Sequence, residues 1–286
     1  MSRKVLLAAA LSVLLFPRIL TAYTTPKDLK DSVTFIFGKN EQQEFVAKGT
    51  GFFVCVKDEQ NPEKFYTYFV TAKHVMLDPS GALTGSVYIR LNTLDGKSDF
   101  LEVPLISGST SCFFTHSDPS VDILVIPIAV DMSKYKVKFI PDAMLTTPRE
   151  FLEREITEGD DVFFIGLFTP HIGGKKNYPI IRFGTVALMP EEKVWLENRE
   201  RDLYLIEAEA CGGNSGSPVF FHLAGGRVFL AGVLMGGYWD SRTFDLVDST
   251  KRVEMTNAGI AAVVPAYKLS EVLSSKELRE HRQAVR

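Results

Sequence analysis

Apolar residues in this chain cluster in short stretches broken by Gly, Pro, Asn and Asp, and few of them recur at helical spacing. Stretches rich in Val, Ile, Phe and Tyr with such boundaries form strands, because branched and aromatic side chains suit a pleated surface while the boundary residues suit turns. Strands are predicted over Val33–Phe37, Gly51–Val56, Phe65–Thr71, Ser86–Leu91, Leu101–Ile106 and Ile123–Ile128. A second set is predicted over Val162–Ile165, Ile180–Leu188, Leu203–Ala208, Pro218–Phe221, Val228–Leu234 and Ile260–Val264. Helical periodicity is confined to Ala266–Glu280, where Leu269, Val272, Leu273 and Leu278 share one face, and to a turn at Pro148–Arg154. The pattern predicts an all-β domain over residues 30–280 closed by a C-terminal helix, with no internal repeat and no second domain.

Composition changes that picture only at the N-terminus. With 45% apolar and 23% charged residues the chain has an ordinary globular balance. Arg3 and Lys4, however, precede an apolar run from Val5 to Phe16, and Ala22 stands near its exit. This reads as a secretory signal over residues 1–22, the run being shorter than the ~20 residues that span a bilayer. The expected location is secreted or periplasmic, the alternative being an uncleaved N-terminal anchor; no membrane insertion is expected once the signal is removed. Loss of residues 1–22 removes three basic and no acidic residues and takes the formal charge from −3 to −6, which argues against a nucleic-acid partner. Three cysteines, Cys55, Cys112 and Cys211, allow at most one internal disulfide and read as small buried hydrophobes.

The chemistry concentrates in Gly212-Gly213-Asn214-Ser215-Gly216-Ser217-Pro218, where a serine stands between glycines that let the backbone fold tightly. A serine hydroxyl is a weak nucleophile; it needs a base to take its proton and donors to hold the oxyanion that forms. Upstream, Val70-Thr71-Ala72-Lys73-His74-Val75 supplies a histidine at the end of an apolar run, and Asp122 stands immediately before the apolar run Ile123–Ile128. Asp118, before Pro119, is the rival acid but reads as a turn residue. The order His, Asp, Ser argues against an α/β-hydrolase, whose nucleophile precedes its acid and histidine.

Those three contexts, with Lys48-Gly49-Thr50-Gly51-Phe52-Phe53-Val54 ahead of the histidine and Ala231-Gly232-Val233-Leu234-Met235-Gly236-Gly237 after the serine, resemble the chymotrypsin-like (trypsin-fold) serine peptidases, especially the bacterial branch that includes HtrA-type proteases. The one departure in the serine motif is Ser217, where a second glycine usually stands. Too few residues follow Pro265 for the PDZ domain HtrA proteins append, so a protease domain without one is expected. The resemblance implies two six-stranded antiparallel Greek-key barrels, the first over about residues 30–130 and the second over about 157–265, followed by a C-terminal helix over 266–280. The cleft between the barrels would hold the site.

The resemblance also implies roles. Ser215 would be the nucleophile, His74 the general base and then acid, and Asp122 the group that orients His74 and stabilises its imidazolium. The backbone N–H groups of Gly213 and Ser215 would form the oxyanion hole. Met235, Gly236 and Gly237 would wall the pocket for the residue before the scissile bond. Glu209, six residues before Ser215, either lies at the pocket base and selects Arg or Lys or points into solvent beside Glu207. Asn214 carries no charge to pair with a new N-terminus, so zymogen cleavage is not expected. The expected activity is endopeptidase hydrolysis of protein or peptide substrates with no cofactor and no metal; the alternative is an inactive peptide- or protein-binding module of the same fold. His116, His171, His222 and His281 read as surface or structural, and Thr169–Tyr178 as a mobile loop near the pocket.

Overall fold

The computed structural model describes residues 25–78, 80–196, 199–245 and 251–285, and the side chains of 241–254 are not described. The predicted signal over 1–22 lies outside the described residues. The chain is mostly β. It first forms β1 (Val33–Lys39), β2 (Phe45–Lys57), β3 (Phe65–Thr71), β4 (Ser86–Asn92) and β5 (Ser98–Pro104). A small hairpin of β6 (Ile106–Ser107) and β7 (Thr110–Ser111) follows, then β8 (Phe114–Thr115), β9 (Leu124–Pro127) and β10 (Ile140–Pro141). Helix α1 (Pro148–Glu153) leads into β11 (Asp161–Gly166), β12 (Ile180–Leu188), the hairpin β13 (Val194–Leu196) and β14 (Arg199–Arg201), β15 (Tyr204–Glu207), β16 (Pro218–Leu223), β17 (Arg227–Asp245) and β18 (Lys251–Pro265). Helices α2 (Ala266–Leu273) and α3 (Lys276–Ala284) end the chain.

Of the two expected six-stranded barrels, the second is present as a closed barrel, β11-β12-β15-β18-β17-β16. The first set instead forms an eight-stranded sheet ordered β5-β4-β1-β2-β3-β9-β8, with β10 added parallel to β2. No pairing of β5 with β8 closes it among the described residues: the chain leaving β5 folds on itself as the β6–β7 hairpin, and β8 is only a two-residue edge.

The run Phe52–Val56 is unbroken because β2 is covered on both faces. Phe53 and Cys55 pack with Ile89, Leu91 and Ile126 in the sheet's own core. Phe52, Val54 and Val56 point the other way, into a core shared with Phe163, Phe220, Leu230 and Leu269 from the second unit. The barrel interior is a third core, built on Val162, Phe164, Ile206, Val219 and Phe221. Successive strand side chains face opposite sides, so a strand held between two cores loses the apolar–polar alternation. Each phenylalanine taken out of water there contributes about 2–3 kcal/mol, and the shared core fixes one unit against the other.

The predicted C-terminal helix is two helices. Ser274 ends α2, and the Ser275 hydroxyl accepts the Leu278 N–H at 3.3 Å to start α3; such a cap competes with an uninterrupted helix. α3 returns to the first unit, where the Arg282 guanidinium lies 5.7 Å from the Tyr66 and Tyr68 ring centres and His281 meets Phe114 edge-on. Among the described residues no helix is long and apolar enough to cross a membrane.

Candidate active site

His74 follows β3 in a 3-10 turn, Lys73–Met76, whose Val75 and Met76 are buried while the histidine side chain is 42% exposed. Asp122 is buried between Val121 and Ile123 just ahead of β9. Its two oxygens take different bonds from one residue: Oδ1 accepts the His74 backbone N–H at 2.9 Å, and Oδ2 lies 2.6 Å from His74 Nδ1. A carboxylate can only accept, so Nδ1 carries a proton, and in its neutral form the ring keeps its lone pair at Nε2. Burial pushes the Asp122 carboxyl up, but the His74 hydrogen bonds and the charges of protonated His74 and of Arg201 outweigh it and hold the group below the usual carboxylate value. Asp118 is turned elsewhere: its Oδ1 accepts the Ser120 N–H at 2.8 Å and its Oδ2 lies 3.7 Å from Lys193.

Ser215 sits on the loop between β15 and β16. The Asn214 N–H donates to the Cys211 carbonyl at 3.0 Å and Gly213 has φ +92°. This is a type II turn, in which the third residue needs a left-handed φ that glycine adopts without steric cost. A Cβ at Gly213 would also stand 2.8–2.9 Å from Thr169 and Leu167 side-chain carbons. Asn214 is buried; its Oδ1 accepts the Cys211 N–H at 2.7 Å and its Nδ2 donates to the Leu167 carbonyl at 2.5 Å, so its amide fastens the turn from inside. Among the described residues neither the Gly213 nor the Ser215 N–H donates to any other group.

His74 and Ser215 line one cavity of about 320 Å³. Its other walls are Ala210, Cys211, Gly212, Met235, Gly236 and Gly237, together with Leu196, Tyr238, Trp239 and Ala262, which the sequence did not single out. Leu196 ends a run of three apolar residues, Val194-Trp195-Leu196, that follows the charged Glu191-Glu192-Lys193 and is shorter than the runs read as strands. Glu209 does not line the cavity. Tyr204, Ile206, Ala208 and Ala210 take the inward positions, so Glu207 and Glu209 face out by the period of two, and Glu209, 71% exposed, pairs with Arg182 at 2.9 Å.

Thr50 is the residue that sequence reading passed over. Fully buried on β2, it bonds to the serine loop, to Leu167 and to Thr71 just before the histidine turn. The Gly-Thr-Gly context marked it only as part of a strand.

The other expected features, Cys211 apart, do not line the cavity. The loop Thr169–Tyr178, expected to be mobile, is fastened to the first unit: Arg90 donates to the carbonyls of Gly173 at 2.7 Å and Gly174 at 3.0 Å, and the Asn177 N–H donates to Asn92 Oδ1 at 2.7 Å. His116 bonds Glu271 at 2.5 Å, and His222 lies against Phe163. The three cysteines are free, and burial, aided by the charge of Asp142, pushes the Cys55 thiol up to about 12. Among the described residues no cluster of His, Cys, Asp and Glu could hold a metal ion.

No protein family and no curated protein matches the sequence. Among solved structures, the chain is similar to the protease domain of MamO from Magnetospirillum magneticum in its apo form, with a TM-score of 0.50 at 15% identity over 86% of this chain and 98% of that one. That likeness covers most of this chain and nearly all of that one, and it is a likeness of fold, a trypsin-like one.

Proposed function

We propose that the chain is a serine endopeptidase. The observation that carries this reading is the bond from His74 Nδ1–H to the buried Asp122, which leaves Nε2 basic in the cavity that Ser215 also lines. In the proposed reaction His74 Nε2 takes the Ser215 proton as Oγ attacks the peptide carbonyl. The oxyanion is held by the N–H groups of Gly213 and Ser215, each such donor contributing about 3 kcal/mol to the transition state. Collapse expels the amine, which takes its proton from His74, and water then hydrolyses the acyl group on Ser215 by the same steps in reverse. Asp122 holds the ring in the required tautomer and stabilises the imidazolium. In this reading the two units of the fold stand where a chymotrypsin-like peptidase has its two barrels, the first of them an unclosed sheet here.

The same reading gives an apolar preference at the residue before the scissile bond. Ala210, Met235, Tyr238 and Ala262 wall the cavity, the glycines at 236 and 237 keep its side open, and the carboxylate of Glu209 stands outside it. The test is labelling by a fluorophosphonate probe, wild type against Ser215→Ala and His74→Ala, followed by a peptide library varied at that position. Labelling lost in Ser215→Ala and sharply reduced in His74→Ala supports the reading, with Phe, Leu or Met cleaved at least about tenfold faster than Arg or Lys. Folded wild-type protein that takes no label would overturn it and favour a binding module.

A further inference from the structure

We infer that Thr50, on a strand of the first unit, positions the oxyanion donors of the serine loop in the second, an inference that rests on the peptidase reading. Two peptide groups of that loop are held at both ends. In the Gly213–Asn214 peptide the carbonyl accepts from Thr50 Oγ1 at 2.8 Å while the N–H donates to Cys211. In the Ser215–Gly216 peptide the carbonyl accepts the Thr50 N–H at 2.9 Å while the N–H donates to the Leu234 carbonyl at 2.8 Å. A peptide group is rigid and planar, so fixing both of its ends fixes its orientation. The Asn214–Ser215 peptide, which carries the Ser215 N–H, lies between those two planes. The Gly212–Gly213 peptide, which carries the Gly213 N–H, adjoins the first of them, and its carbonyl accepts from Thr169 Oγ1 at 3.4 Å, so both N–H groups have less freedom to turn away.

The side chain at position 50 needs a hydroxyl. Its Oγ1 donates to the Gly213 carbonyl and at the same time accepts the Leu167 N–H at 2.9 Å. Only an O–H group of this size both gives and takes a hydrogen bond. The Thr50 carbonyl in turn accepts from Thr71 Oγ1 at 2.7 Å, three residues before His74. One buried residue thus ties the loop carrying the oxyanion donors to the strand carrying the base. Thr50 touches no substrate; it acts through the loop.

Thr50→Val keeps the shape and the backbone bonds but removes both hydroxyl bonds, whereas Thr50→Ser keeps them. With a chromogenic peptide substrate, Thr50→Val is expected to lower kcat about 10- to 100-fold with KM within about threefold, less than the loss of a whole oxyanion donor. Thr50→Ser is expected to restore kcat to within about threefold of wild type. A peptide aldehyde, which forms an oxyanion on Ser215, should bind Thr50→Val at least about tenfold more weakly, while the matching peptide amide, which forms none, binds unchanged. A structural lesion alone would weaken both. Should the valine protein not fold, Thr50→Cys, whose thiol gives and takes only weak bonds, carries the same comparison. An unchanged kcat, or parallel loss of aldehyde and amide binding, overturns the inference. If wild type itself takes no fluorophosphonate label, the peptidase reading fails first and Thr50 has no oxyanion donors to position.

Discussion

On one side of the cleft a single side chain does the positioning: Asp122 holds both the backbone and the ring of His74. On the other side Ser215 is positioned by its backbone, through a type II turn, a left-handed glycine at 213 and peptide groups held by Thr50, Cys211 and Leu234. The two halves are therefore sensitive to different changes. The histidine half depends on a charge and a tautomer, and so on pH and on isosteric replacement of the carboxylate. The serine half depends on steric room and on hydrogen bonds between units, and so on the addition of single carbon atoms.

The sharpest way to probe the first half is Asp122→Asn. The amide can offer an N–H where the carboxylate only accepted, which favours the tautomer with its proton at Nε2 and leaves Ser215 without a base. In the peptidase reading proposed above, hydrolysis is expected to fall about 10⁴-fold, read as kcat on a peptide substrate with the fold checked by circular dichroism. The same variant reports on stability. The folded-state value of Asp122 is depressed, so its ionised form stabilises the native state above the unfolded carboxylate value and that contribution is lost as pH falls through the lower folded value. The stability difference between wild type and Asp122→Asn in urea titrations should shrink below about pH 4. A difference that grows below about pH 4 would break the assignment of Asp122 as the ionised partner.

The second half is best probed with a methyl group. Gly216 has φ +85°, and a Cβ there would lie 2.1 Å from the Thr50 carbonyl and 2.2 Å from Thr71 Oγ1. Gly216→Ala combines a left-handed alanine with a clash against backbone, a cost of roughly 2–5 kcal/mol. Because the clash falls where the two units meet, activity should fall along with the midpoint of denaturation. A variant as stable as wild type would mean that the loop and the Thr50 strand are not held together as described.

The same contrast explains what was legible in the sequence. His74, Asp122 and Ser215 announce themselves because each residue type has an unusual local context, and apolar runs such as Phe52–Val56 mark strands wherever a core covers them. The strands that reach past the core leave no such mark: β17 continues to Asp245 and β18 begins at Lys251, far beyond the predicted ends at Leu234 and the start at Ile260. Segments such as Asp240-Ser241-Arg242-Thr243 pair through their backbones, with Asp240 opposite Thr256, and backbone pairing places no demand on side-chain type. Thr50 was invisible for a related reason. A threonine in a strand is ordinary, and its partners Gly213 and Ser215 lie more than 160 residues away, so only the folded chain brings them together. For Glu209 the sequence left two readings open, the pocket base by its distance from Ser215 and solvent by the period of two, and the side chain follows the second, paired with Arg182.

The smallest effect belongs to a side chain of the serine half that the backbone scheme leaves idle. Ser217 is fully buried, and among the described residues its hydroxyl has no hydrogen-bond partner. It fills the space beside Gly166, where an added Cβ would come within 2.2 Å of Ser217 Oγ. A buried hydroxyl without a partner costs roughly 1–3 kcal/mol in lost hydration, offset in part by the contacts its oxygen makes. Ser217→Ala removes that cost and leaves a gap of one heavy atom, so a gain of up to about 1 kcal/mol is expected in urea denaturation, with kcat unchanged within about twofold. Loss of a hydroxyl at position 50 and at position 217 should then have opposite signs, although both lie buried in the same inter-unit seam. If Ser217→Ala instead loses stability and activity together, the serine loop is held by more than its backbone, Thr50 and Asn214.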